Sequence, residues 1–173
     1  MVLSSDLLSS VLHNTARKPT RLVIAFSDFS DFKHVAVRVS DAEIADTMDD
    51  YYRLTASVVE KAKGRVVKFI GDAALLVFPA DKPDDALRTI LTLRTESDRF
   101  MVDRDWPCRF SARVHIGEVI AGDFGPKGSK RYDIMGRDVN ATAMLKGEGI
   151  GGILLSDAMR AAVSPDTIVK MKV

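Results

Sequence analysis

Cysteine is almost absent from this chain. Cys108 stands alone among 173 residues, so no disulfide can form within one copy. One thiol and three histidines without metal spacing, His13, His34 and His115, also argue against a zinc site. Sparse cysteine fits a reducing compartment, and the expectation is a cytoplasmic protein. No apolar run approaches the ~20 residues of a membrane-spanning helix, so no membrane insertion is expected. The N-terminus lacks the positive region and apolar stretch of a secretory signal. Charge of one sign is not in excess either. The formal net charge is +1, which gives no electrostatic case for a nucleic-acid partner. Several phosphate and nucleophile motifs are missing. Residues 125–130 do not end in the Gly-Lys-Ser/Thr of a phosphate loop, and no serine sits in a nucleophile elbow. Gly147-x-Gly149-x-x-Gly152 matches the dinucleotide fingerprint as a string, but it follows a helical pattern and precedes a strand, the reverse of what that motif needs.

What is present is an ordinary globular composition, 46% hydrophobic and 28% charged, in a length that suits one domain with a real core. Leu7, Leu8, Val11 and Leu12 have helical spacing within residues 4–14, and residues 16–20 read as a linker. A strand is expected from Leu22 to Phe29. A long helix follows over 41–62, with Asp41 as its cap, an apolar stripe from Ile44 to Ala62, and Gly64 as its stop. Residues 83–101 form the next helix, with Pro83 in its first turn. Residues 109–123 read as two strands around Gly117, and 124–130 as a basic loop. Val139–Lys146 reads as a short helix, Ile153–Leu155 as a strand, Ser156–Ala162 as a capped helix and Thr167–Val173 as a last strand. The opening order β-α-β-β-α-β is ferredoxin-like, so the expected class is α+β, with C-terminal α and β additions.

The chain is organised around residues 64–78. Two apolar runs, Val66–Ile70 and Ala73–Phe78, are joined by Gly71-Asp72, a hairpin signal. Such turns are common and mostly carry no chemistry. A second carboxylate, Asp28, lies near the end of the first strand. If the two strands pair, Asp28 and Asp72 converge, and paired carboxylates at strand ends suit Mg²⁺.

Four motifs occur in order: Phe26-x-Asp28, Lys68-x-x-Gly71-Asp72, His115-x-Gly117-Glu118-Val119-x-x-Gly122 and Tyr132-Asp133-x-x-Gly136-x-x-Val139-Asn140. Together they resemble the catalytic domain of class III nucleotide cyclases, over roughly residues 20–160. The resemblance divides the chain into an N-terminal helical extension and linker, residues 1–20, and a cyclase-like catalytic domain, residues 21–173. It implies conversion of a nucleoside triphosphate to a 3′,5′-cyclic monophosphate and pyrophosphate, assisted by two divalent ions, Mg²⁺ or Mn²⁺. It assigns the ions to Asp28 and Asp72, with the carbonyl of Phe29 assisting. It gives base reading to Lys68 and Asp133 and ribose orientation to Asn140. A lysine donor with a carboxylate acceptor complements the edge of adenine and opposes guanine, so ATP is the expected substrate. In the family the metal aspartates come from one subunit and the base readers and asparagine from the other, which implies a homodimer with composite sites.

Each residue also has a plainer reading. Asp28 could be a solvated strand-end carboxylate, Lys68 a surface lysine, Asp133 a turn residue, Asn140 a helix cap and His115 a hydrogen-bonded strand residue. The chain departs from the family pattern in three places. The arginine expected four residues after the asparagine is Met144, which cannot donate a hydrogen bond. Losing one such electrostatic stabiliser typically costs ~10²–10³ in rate. Met144 could instead be a core contact of the short helix. The Gly-Phe-Thr that usually continues the first motif is Asp31-Phe32-Lys33, and the usual Arg-x-Gly before the histidine is Ser111-x-Arg113. A late phosphate-contacting lysine could be Lys170 or Lys172. These departures sustain a second reading, a degenerate cyclase-homology domain that binds nucleotide or dimerises to regulate. In an active enzyme, Lys33, Arg137 or Lys146 would stand in for the arginine. A diguanylate cyclase is disfavoured, because the Gly-Gly-Asp/Glu-Glu-Phe turn is replaced by Ile70-Gly71-Asp72-Ala73.

Overall fold

A computed structural model describes residues 16–147, 149 and 152–172. The helix expected over 4–14 lies outside the described residues, as does much of the glycine-rich turn 147–152.

The backbone of the fold is a sheet in the order β2-β3-β1-β4-β5. Its strands are β1 (Lys18–Ser30), β2 (Arg65–Ile70), β3 (Ala73–Pro79), β4 (Arg109–Phe124) and β5 (Arg131–Met135). All four pairings along this path are antiparallel, and β6 (Ile153–Leu155) joins β4 in parallel. With the first four strands in the order 2-3-1-4, the ferredoxin-like expectation holds. Between them run α1 (Phe32–Ala36), α2 (Asp41–Lys61) and α3 (Pro83–Val102). After β5 come α4 (Arg137–Ala143), α5 (Asp157–Ala162), α6 (Pro165–Val169) and a 3₁₀ turn at Lys170–Lys172.

Strand alternation divides the buried side chains between two faces. On the first, Val23 and Ala25 of β1, Leu76 and Phe78 of β3 and Val114 and Ile116 of β4 pack with α2 and α3 through Tyr51, Val59, Leu87, Ile90 and Leu93. On the second, Leu22 and Ile24 of β1 and Leu75 and Val77 of β3 meet Val119, Ala121, Tyr132 and Ile134. The last two belong to β5, at the opposite end of the strand order from β2. The sheet curls so far that its two terminal strands meet: Lys68 of β2 reaches Asp133 of β5, and the Arg65 guanidinium lies 3.8 Å from the centre of the Tyr132 ring.

Several local expectations are corrected. Residues 109–123 do not form two strands around Gly117, since β4 runs unbroken for 16 residues. Its long partner β1 pairs with it from Lys18↔Ala121 to Ser30↔Arg109, so Lys18–Thr20 are strand rather than linker. Asp133, whose plainer reading is a turn residue, lies in a strand. Residues 167–172, read as part of a last strand, are helix and 3₁₀ turn: the Ser164 hydroxyl caps α6 by accepting from the Thr167 N–H, and Pro165 occupies the first turn. Ser40, not Asp41, caps α2. Gly64 lies beyond the end of that helix, and its small size has a packing cause, because a Cβ there would stand 2.5 Å from Phe78.

Candidate active site

Asp28 shares the second face of the sheet with Leu22, Ile24 and Phe26 by simple alternation. On β4, Ser111 stands opposite Asp28 and Arg113 opposite Phe26, both facing the same way. The Ser111 hydroxyl donates to Asp28 Oδ1, and the Arg113 guanidinium lies 3.3 Å from Asp28 Oδ2. Asp72 occupies the β2–β3 turn, where Gly71 takes a positive φ of 60°. The Phe29 backbone N–H donates to Asp72 Oδ2 at 3.2 Å, which draws the hairpin tip against the end of β1. Tyr52 of α2 anchors the same tip. Its hydroxyl donates to the Gly71 carbonyl at 2.6 Å, and its ring stacks on Phe69 with centroids 3.9 Å apart. Burial first, and then the negative charge of Asp72, raise the Tyr52 phenol above its ordinary value.

This end of the sheet offers oxygen ligands suited to a hard cation. In an antiparallel strand, a residue's N–H and C=O point to the same side. Since the Phe29 N–H points to Asp72, its carbonyl opens on that side too, past the last β1–β3 pair at Ser27↔Ala74. Two carboxylates and one carbonyl match the few protein ligands that Mg²⁺ takes when substrate phosphates and water fill the rest. Among the described residues no cluster of three or more His, Cys, Asp or Glu side chains provides a different metal site.

The base-reading candidates form a separate pair. Lys68 Nζ and Asp133 Oδ2 are 2.7 Å apart, with side chains 44% and 20% exposed. A β-bulge makes this possible. Val66 pairs with Leu76 and Lys68 with Leu75, so the extra residue Val67 turns Lys68 onto the second face. Asp133 is fixed in turn by the Ile134 N–H, which donates to its Oδ1 at 2.8 Å.

Residues 15–169 match the family model described as the adenylate and guanylate cyclase catalytic domain. The chain belongs to that family. Among solved structures, the adenylyl cyclase CyaB from P. aeruginosa superposes with a TM-score of 0.78 at 21% identity, covering 85% of this chain and 82% of that one. The guanylate cyclase domain of RhGC from Catenaria anguillulae, solved in complex with GTP, gives a TM-score of 0.76 at 21% identity, covering 86% of this chain and 85% of that one. At such identities the likeness concerns the fold. The Mycobacterium tuberculosis protein Rv1318c, described as uncharacterized, is 27% identical over 128 residues, which are 72% of this chain and 23% of that protein. This cyclase domain therefore spans under a quarter of that relative's length.

Three of the remaining candidates, Arg137, Asn140 and Met144, lie on α4 or at its end. Asn140 is exposed on this helix, and Met144 is its C-cap. Met144 is 70% exposed, so the alternative that it is a core contact is set aside. Lys33, Arg137, Lys146 and Lys170 are all exposed. Asp138 ties α4 to the sheet. Its Oδ2 accepts from the Glu118 N–H at 2.7 Å, and its Oδ1 lies 3.7 Å from His115 Nε2. His115 Nδ1 meets the Ser156 hydroxyl at 2.8 Å, in keeping with a hydrogen-bonded strand histidine. A Cβ at Gly117 would stand 2.0 Å from Asp138 Oδ2, so glycine makes room for this contact. Asp138 and Tyr52, which brace α4 and the hairpin tip, are not marked by the motifs in the sequence. The one available signal was an acidic residue in the first turn of a short helix; nothing marked Tyr52 apart from the stripe of α2.

Among the described residues no helix is long and apolar enough to cross a membrane.

Proposed function

We propose that this domain is an adenylyl cyclase, converting ATP to 3′,5′-cyclic AMP and pyrophosphate at sites shared between two copies of the chain. The observation that carries the reading is the Lys68–Asp133 pair. An ammonium donor beside a carboxylate acceptor complements N1 and N6 of adenine and opposes the reversed pattern of guanine. Lysine has three donor hydrogens and the carboxylate has spare lone pairs, so the two can stay paired while meeting a base. Asp28, Asp72 and the Phe29 carbonyl would hold Mg²⁺ or Mn²⁺, which when bound activates the 3′-hydroxyl and neutralises the leaving phosphates. Asn140, on the helix that Asp138 ties to β4, orients the ribose. One protomer supplies Asp28 and Asp72 to a site, and its partner supplies Lys68, Asp133 and Asn140.

Incubation with ATP or GTP and either Mg²⁺ or Mn²⁺, followed by chromatography of the products, tests this reading. Cyclic AMP and pyrophosphate from ATP, lost in a folded Asp72→Ala variant, support it. Preference for GTP would overturn the base assignment. Absence of product with both nucleotides would favour the second reading, a regulatory nucleotide-binding or dimerising module. The observation behind that alternative is Met144, an exposed apolar side chain one turn after Asn140, where a cationic donor would be needed.

A further inference from the structure

Both carboxylate oxygens of Asp28 are engaged by β4, one by the neutral Ser111 and the other by the positively charged Arg113. The Arg113 and Asp28 side chains are 38% and 39% exposed, so a cation from solution can reach the same carboxylate. The register leaves Arg113 little choice of side. It stands across from Phe26 on β1, two residues along from the Asp28↔Ser111 pair, and odd-numbered β4 residues all face as Asp28 does. Where the family pattern has a glycine, this chain places a guanidinium against the proposed metal ligand.

We propose that Arg113 is a built-in counter-cation that competes with divalent metal for Asp28 and so sets the metal affinity of the nucleotide-free domain. The proposal rests on the metal role assigned to Asp28. A carboxylate oxygen that accepts from arginine has less negative potential to offer a metal, and an approaching dication is repelled by the fixed positive charge. Metal must therefore displace the guanidinium or bind beside it at a cost. Ser111 imposes no such competition, since a hydroxyl carries no charge and can remain hydrogen-bonded to a metal-bound carboxylate.

The test is Mn²⁺ binding to the nucleotide-free full chain, read from the electron paramagnetic resonance signal of free Mn²⁺, with circular dichroism and melting temperature as checks on folding. Arg113→Gln removes the charge at similar length, and Arg113→Lys retains it. A half-exposed ion pair of this kind supports roughly a five-fold change in affinity. Arg113→Gln is expected to bind Mn²⁺ about five-fold more tightly than wild type, and Arg113→Lys within about two-fold of it. Asp28→Asn should abolish the gain when combined with Arg113→Gln. Equal or weaker binding by a folded Arg113→Gln variant, with Asp28→Asn still reducing binding, would overturn the competition while leaving the metal assignment in place. Binding indifferent to Asp28→Asn in both backgrounds would overturn the metal assignment and the competition with it.

Discussion

Met144→Arg is the substitution that most directly tests why this cyclase domain departs from its family. The side chain is 70% exposed, and it caps the C-terminal end of α4, one turn after Asn140. A charge there stays in water, so the stability cost falls in the ordinary surface range of about ±0.5 kcal/mol. For a chain of this size that shifts the melting temperature by about 1–2 °C. A cation at a helix C-terminus gains a few tenths of a kcal/mol from the backbone dipoles, which tilts the shift upward. The rate effect should be much larger. One preorganised donor to a transition-state oxyanion is typically worth ~10²–10³ in turnover, and an arginine placed without adapted neighbours should recover at least about ten-fold. Such a gain belongs to the transition state, so turnover should rise while the KM for ATP stays within about two-fold. The assay is steady-state cyclic AMP production alongside a thermal melt of the same preparation. An unchanged melt with no rise in turnover would show that position 144 does not reach the phosphates. A fall of more than about 5 °C would refute the exposure argument itself.

Three further outcomes are expected. Lys68→Glu combined with Asp133→Ser should move the preference from ATP toward GTP, measured as the ratio of the two kcat/KM values; an unchanged ratio would disconnect the pair from base reading. Mixing inactive Asp72→Ala chains with inactive Lys68→Ala chains should restore activity, because one of the two shared sites in the mixed dimer is intact; no rescue with mixed dimers demonstrated would count against composite sites. The third concerns acid stability. Asp84 is held below the usual carboxylate range by hydrogen bonds from Thr167 and Ser164. Its contribution is complete above the unfolded-state value of about 4 and is lost as pH falls through the lower folded value. Denaturant titrations at decreasing pH should show Asp84→Asn losing less stability than wild type across that window, and parallel curves would refute the assignment.

The chain's own pattern determined a good deal. The two apolar runs on either side of Gly71-Asp72 define the hairpin, because a strand covered on both faces buries consecutive residues. The stripe from Ile44 to Ala62 and the cluster from Ala86 to Leu93 define the two long helices for the corresponding 3.6-residue reason. From these alone the ferredoxin-like order was legible, as was the placement of Asp28 and Asp72 at strand ends. Other features depended on contacts between distant segments. Thr167–Lys172 looked like strand by composition, yet Ser164, Pro165 and the Asp84 carboxylate start a helix there. Tyr132 and Asp133 become strand because β4 offers Asp123 and Gly122 as partners. Lys68 faces Asp133 only because of the bulge at Val67 and the curl that joins the terminal strands, neither of which has a local sequence signature. Met144 is exposed, and Arg113 is aimed at Asp28, through helix placement and strand register. Local residue pattern sets which backbone form is cheapest, whereas the facing of a side chain depends on pairing across many residues. The residue types at the site could therefore be read from the chain, and their relative positions only from the folded sheet.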